Sequence, residues 1–146
     1  MFTDYTNAYE YELEKSEDEF FLYNKSAFMT DSGDTIRTTF SSDKDDIDTW
    51  LFGFSRIHGG EVTQYITGQG DAIRILSTVI KMIIEVATTN NVRFMMFRAE
   101  NDSVRPKLFE RIFNKLTHKY GYKVISQVSE TGTTITVARE AIHETV

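Results

Sequence analysis

Two glycines stand two residues apart in Thr67-Gly68-Gln69-Gly70-Asp71-Ala72, directly before an apolar run. A glycine-rich turn that opens a helix presents backbone N–H groups to an anion, so the chemistry to expect is phosphate binding. Asp71 complicates this. A carboxylate in a first helical turn is favoured by the helix dipole by about 0.3–1 kcal/mol. Against a diphosphate about 4 Å away it costs roughly 1 kcal/mol per charge pair in water. Asp71 therefore points away from such a cradle, or fills it and caps the helix itself.

Other residue types invite other chemistry. Glu61, on the strand leading to the glycine turn, becomes a general base if burial raises its pKa. The plainer reading is an exposed strand-edge glutamate. His58, beside Arg56 and Gly59-Gly60, has the ring for proton transfer, and its plainer reading is a surface turn residue. Asp43, Asp45, Asp46 and Asp48 suggest calcium, but an EF-hand counted from Asp43 puts Ile47 at position 5 and Asp48 at the glycine position. A solvated acidic turn fits better, and no metal is expected. Lys107, Arg111, Lys115 and Lys119 recur every four residues and form one basic stripe, the solvent face of an amphipathic helix.

The elements that must position these residues follow from periodicity. Alternation predicts strands over Asn7–Leu13, Thr35–Phe40, Ile47–Ile57 and Val62–Ile66, and an apolar run adds Phe20–Tyr23. Trp50, Phe52 and Phe54 share one face of their strand, opposite Leu51, Gly53 and Ser55. The aromatics Tyr9, Tyr11, Phe20, Phe21 and Trp50 are expected mostly in the sheet core. Helical recurrence predicts a helix over Asp71–Thr88, broad enough in its apolar stripe to be buried on more than one side. Val92–Phe97 follows as a strand after the Asn90-Asn91 turn. Ser103–Tyr120 follows as a helix, with Pro106 in its first turn. Tyr122–Val128 and Thr133–Val137 form a hairpin. The first half reads as an antiparallel meander. The strand–helix–strand run from Val62 to Phe97 predicts a parallel pair. The fold class is α+β: a mixed, mostly antiparallel sheet with two main helices, in the order βββββ-α-β-α-ββ.

The chain has 146 residues, 40% apolar and 13% aromatic, which suits one domain with a real core. There is no cysteine, so disulfides and thiolate metal sites are excluded. This fits a cytoplasmic protein. The opening residues lack the basic-then-apolar pattern of a signal peptide, and Arg74, Lys81 and Glu85 break the apolar helix, so no membrane span is expected. Net charge is −6, with 13 acids and 4 bases in residues 1–50. That acidity argues against nucleic acid as the main partner.

The ordered set of motifs resembles the GNAT acyltransferases, over roughly residues 47–140. In that family a strand ends in R/Q-x-x-G-x-G/A, and the N–H groups of the next helix hold the pyrophosphate of acetyl-CoA. Gly70 and Ala72 match the last two fixed positions. Asn101 after the following strand, Phe109 in the second helix and Gly121-Tyr122 at its end match further points. The run from TG-x-GDA through Arg105–Phe109 to Gly121-Tyr122 is also similar to a group of small bacteriophage proteins labelled acetyltransferase. The resemblance implies a single GNAT-like domain, with acidic N-terminal strands over 1–46 and the motif-bearing core over 47–140. Gly68, Gln69, Gly70, Asp71, Ala72 and Asn101 would then be the cofactor-binding set. Glu61 and Tyr120 would be the candidate base and acid.

Three positions depart from the family pattern. Thr67 replaces the long polar side chain, Asp71 adds a carboxylate, and Phe109 lacks the hydroxyl of the family's tyrosine. They favour a diverged, non-catalytic protein that works through protein contacts, as a virion component or a modulator of a host protein, in the host cytoplasm or the virion. The alternative is an acetyl-CoA-dependent N-acyltransferase.

Overall fold

Strict alternation is clearest in β4 (Thr49–His58), where Trp50, Phe52, Phe54 and Arg56 are buried and Leu51 is exposed. In the computed structural model the described residues are 8–14, 23–42, 49–63, 72–99, 110–111, 113–115, 121–129 and 132–139. The other strands are β1 (Tyr11–Glu12), β2 (Tyr23–Met29), β3 (Thr35–Ser42), β5 (Glu61–Thr63), β6 (Phe94–Ala99), β7 (Tyr122–Ser129) and β8 (Gly132–Arg139). Helix α1 spans Ala72–Thr89, and residues 110–111 and 113–115 form part of a second helix. The architecture is α+β, with the expected order of elements. All eight strands form one sheet in the order β1-β2-β3-β4-β6-β8-β7, with β5 beside the end of β4. Every pairing is antiparallel except β4 with β6.

One expectation is corrected. The second described strand is Tyr23–Met29, which meets the expected Phe20–Tyr23 at Tyr23, while residues 20–22 lie outside the described residues. Its inward face carries Ser26 beside Phe28, so the apolar pattern is weak. Ser26 is buried because its hydroxyl accepts from the Glu14 N–H at 3.2 Å, while its carbonyl accepts from Thr38 Oγ1 at 3.2 Å. The parallel pair exists, but β4 makes it with β6. The strand just before the helix, β5, turns back antiparallel on β4 with His58 opposite Glu61. Gly59 and Gly60 have φ of +57° and +83°, the left-handed pair that a two-residue type I′ hairpin needs. The sequence shows the glycines, but not that they fold β5 back beside β4.

One core joins the inward face of the sheet to α1. Phe52 stacks on Phe40 and Phe97 with centroids 6.3 and 5.3 Å apart, and Phe54 stacks on Phe97 at 4.5 Å. Each such pair is worth about 0.5–1.5 kcal/mol beyond its buried area. Helix α1 is buried nearly all round: Ile75, Leu76, Val79, Ile80, Met82, Ile83 and Val86 are fully covered, and Ile84 also lies inside. The first strand region crosses it. The Tyr9 N–H donates to Thr78 Oγ1 at 2.9 Å, Tyr11 Oη donates to Glu85 at 2.9 Å, and the Arg74 guanidinium sits 3.9 Å over the Tyr9 ring. The helix ends where Asn91 takes a φ of +53° and the Val92 N–H reaches back to the Ala87 carbonyl at 2.9 Å. That is a Schellman stop, formed at the asparagine turn.

Ser77 lies in α1 with a buried hydroxyl that has no hydrogen-bond partner. An unpaired buried polar group is costly, and alanine is the better helix former. Ser77→Ala is therefore expected to raise stability by about 0.5–1.5 kcal/mol, read as a higher urea midpoint at unchanged slope. A loss of stability would show that the hydroxyl is satisfied.

Candidate functional site

Strand parity places Asp34, Arg56 and His58 on one face. Asp34 precedes β3 and shares the inward side of Ile36 and Phe40; Arg56 and His58 continue the inward side of Trp50, Phe52 and Phe54. The β3–β4 register pairs Thr35 with Ile57 and Ile36 with Arg56. One step further along, Asp34 stands opposite His58, with Arg56 diagonal to it. A single carboxylate is thus within reach of two cationic-type side chains spaced i, i+2 on the neighbouring strand.

The contacts are short. Arg56 Nε donates to Asp34 Oδ2 at 2.6 Å, and His58 Nδ1 meets Asp34 Oδ1 at 2.6 Å. The carboxylate only accepts, so Nδ1 carries the hydrogen, and the neutral ring leaves Nε2 as an acceptor. The side chains of Arg56 and Asp34 are 2% and 6% exposed, whereas His58 is 69% exposed. The hydrogen bond from His58, and after it that from Arg56, hold the Asp34 carboxyl below the usual carboxylate range.

The turn before β3 fixes the carboxylate. The Asp34 N–H donates to Thr30 Oγ1 at 3.2 Å, and the Thr30 N–H donates to the Asp34 carbonyl at 2.8 Å. Gly33, with a φ of +89°, closes the turn through a 3.0 Å bond to the Thr30 carbonyl. Ser32 Oγ lies 2.9 Å from Thr30 Oγ1 and 3.4 Å from Arg56 Nη2. The same turn reaches the start of α1, where Arg74 Nη1 donates to Asp31 at 2.7 Å. The carboxyl end of β4, the β2–β3 turn and the first turn of α1 therefore meet at one end of the sheet.

A second feature lies on the edge of β4 opposite β3. The parallel ladder of β4 with β6 runs only through Thr49–Phe94, Trp50–Met95 and Leu51–Met96. Both strands continue, to His58 and Ala99. Among the described residues no further pair joins them: β5 takes this edge of β4 at Arg56, Ile57 and His58, and Phe52, Phe54 and Phe97 pack beneath the stretch between.

The outward face carries two apolar rows. Register aligns Met29, Thr35, Ile57 and Val62 across β2 to β5. It aligns Leu51, Met96, Thr136 and Ile125 across β4, β6, β8 and β7. Met29, Val62, Leu51 and Ile125 are exposed.

Of the residues singled out from sequence, Glu61 is exposed on β5, directly across from His58. Ala72 opens α1. Gly68, Gln69, Gly70, Asp71, Asn101, Phe109 and Tyr120 lie outside the described residues, as do the Asp43–Asp48 turn, Lys107 and Lys119. Arg111 and Lys115 are exposed on the second helix, and Phe113 is buried there. His58 is exposed as expected, but its imidazole is anchored on a buried carboxylate. Asp34 stands in Ser32-Gly33-Asp34, which as sequence signals only a turn. The parity that puts Trp50, Phe52 and Phe54 inside, extended by two and four residues, would have placed Arg56 and His58 on that face. Among the described residues, no group of three or more His, Asp or Glu side chains is arranged to hold a metal, and no helix is long and apolar enough to cross a membrane. In comparisons with known proteins, no family model matches this chain, and neither does any curated protein or solved structure.

Proposed function

We propose that the chain is an acyl-CoA N-acyltransferase whose acyl donor binds between the parallel strands β4 and β6, beside the start of α1. The observation that supports this is their ladder, which stops after Leu51 and Met96, short of Arg56 where β5 takes the same edge of β4. Ligands of open sheets gather at the carboxyl ends of parallel strands. The stretch of that edge between Leu51 and Arg56, which pairs with no described residue, would offer backbone groups to an extended, amide-bearing ligand, in the manner of an added strand. The amide arm of an acyl-CoA has that form. The glycine turn of residues 68–72 would hold its diphosphate, and the apolar floor of Phe52, Phe54 and Phe97 would exclude water from the thioester. The lost hydroxyl at Phe109 weighs less once an oriented imidazole stands at the same sheet end.

Acetyl-CoA is expected to raise the midpoint of thermal unfolding. A ligand that binds only the folded chain adds about 2.7 kcal/mol at a hundred times Kd. An unchanged midpoint at millimolar acetyl-CoA would refute the reading.

The exposed apolar rows favour a second reading. A diverged, non-catalytic domain would use Met29, Ile57 and Val62 against a protein partner, as a virion component or host modulator. Apolar side chains from three strands, aligned through Thr35 on β3, form a patch of the kind that marks protein contacts.

A further inference from the structure

We propose that His58 is the base that takes a proton from the amine acceptor, with Asp34 and Arg56 as positioning residues behind it; this rests on the acyl-transfer reading. Three observations converge on it. The ring is oriented, because Nδ1 is bound to a carboxylate that the Thr30–Asp34 turn and Arg56 hold in place. The ring is also the accessible member of the cluster, 69% exposed against 6% for Asp34. Finally, it sits at the end of β4, and the turn that carries Asp34 also contacts the first turn of α1 through Asp31 and Arg74.

Charge supports the same role. Arg56 and Asp34 neutralise each other, so a neutral His58 leaves the cluster uncharged. When Nε2 takes a proton, the adjacent carboxylate compensates the imidazolium. The groups around the ring are Asp34 before β3, Arg56 on β4 and Glu61 across the hairpin on β5, with Asp31 and Arg74 beyond the turn. The exposed Glu61 adds negative charge that suits a cationic amine, while Asp31 is paired with Arg74.

The step balances without any further reactant. His58 Nε2 removes one proton from the ammonium group of the acceptor. The freed nitrogen lone pair forms the C–N bond at the thioester carbonyl, and the C–S bond breaks. The second nitrogen proton passes to the departing sulfur, giving amide and thiol. His58 returns its proton to water.

The test uses the full chain with acetyl-CoA and spermidine, following thiol release against pH. General-base loss costs about 10²–10⁴-fold, so His58→Ala should fall by that factor while acetyl-CoA binding is kept. Added free imidazole should recover part of the rate, which loss of a merely structural contact would not allow. A rate within a few-fold of wild type, or a loss that imidazole leaves untouched, overturns the proposal. A second measurement needs no acceptor. Diethyl pyrocarbonate should label His58, followed at that residue by mass spectrometry, and Asp34→Asn should slow that labelling. Labelling of His58 that is indifferent to Asp34→Asn also overturns it. Failure of wild type to bind acetyl-CoA defeats the acyl-transfer reading instead, and the labelling then decides the role of the His58–Asp34 pair alone.

Discussion

Replacing Ile80 with alanine lowers the free energy of unfolding by about 2–5 kcal/mol. Ile80 is fully buried in the middle of α1. Its neighbours one turn away, Leu76, Ile83 and Ile84, are buried as well. A cavity there cannot close by a shift of the helix, because α1 is packed nearly all round and tied to the first strand region through Thr78 and Glu85. The cost therefore includes the cavity as well as the lost transfer energy. Ile73, one end of the same helix, is 48% exposed. Ile73→Ala should cost less than about 1 kcal/mol. Urea titrations of the two variants measure the contrast. Equal losses would show that α1 is not the centre of the core.

Acid lability traceable to one carboxyl is the other large effect. Asp34 has its folded pKa lowered by the hydrogen bonds from His58 and Arg56. A lowered folded pKa contributes stability that is fully present above the unfolded value, about 3.9. That contribution is lost as pH falls through the folded value. Wild type should therefore lose stability steadily below about pH 4. Asp34→Asn removes the charge that Arg56 and His58 share, so it should be much less stable near neutrality. The gap between the two proteins should close in acid, because protonated wild type then resembles the amide. Urea midpoints at several pH values read this directly. Curves that stay parallel down to low pH would show that the carboxylate is not stabilised by its partners.

Much of the fold was legible because two periods alternate cleanly. The inward Trp50, Phe52 and Phe54 of β4 and the helical stripe of α1 each stand where the sequence puts them. The tyrosine and tryptophan of the sheet behave likewise, with Tyr9 and Trp50 buried. Pattern failed where a polar residue faces inward. Ser26 interrupts the apolar face of β2, and only its hydrogen bonds to the Glu14 N–H and Thr38 Oγ1 explain its burial. The site was less legible than the fold. Strand parity could place Asp34, Arg56 and His58 on one face, but the pairing of Asp34 with His58 depends on the β3–β4 register. That register is fixed by the whole eight-residue ladder from Thr35–Ile57 to Ser42–Trp50, across a connection whose length alone specifies nothing. Likewise, the glycines at 59 and 60 announce a turn, yet which strand becomes the parallel partner of β6 is a property of the assembled sheet.

The central claim is that the parallel strands β4 and β6, with the glycine turn of residues 68–72, receive an acyl-CoA. Calorimetric titration of the full chain with acetyl-CoA tests it most directly, with Gly70→Val and His58→Ala alongside. The account predicts saturable heat at one site per chain, its loss in Gly70→Val, where a branched side chain blocks the backbone approach to the diphosphate, and its retention in His58→Ala. No heat at millimolar acetyl-CoA, or the same heat in Gly70→Val as in wild type, would contradict it.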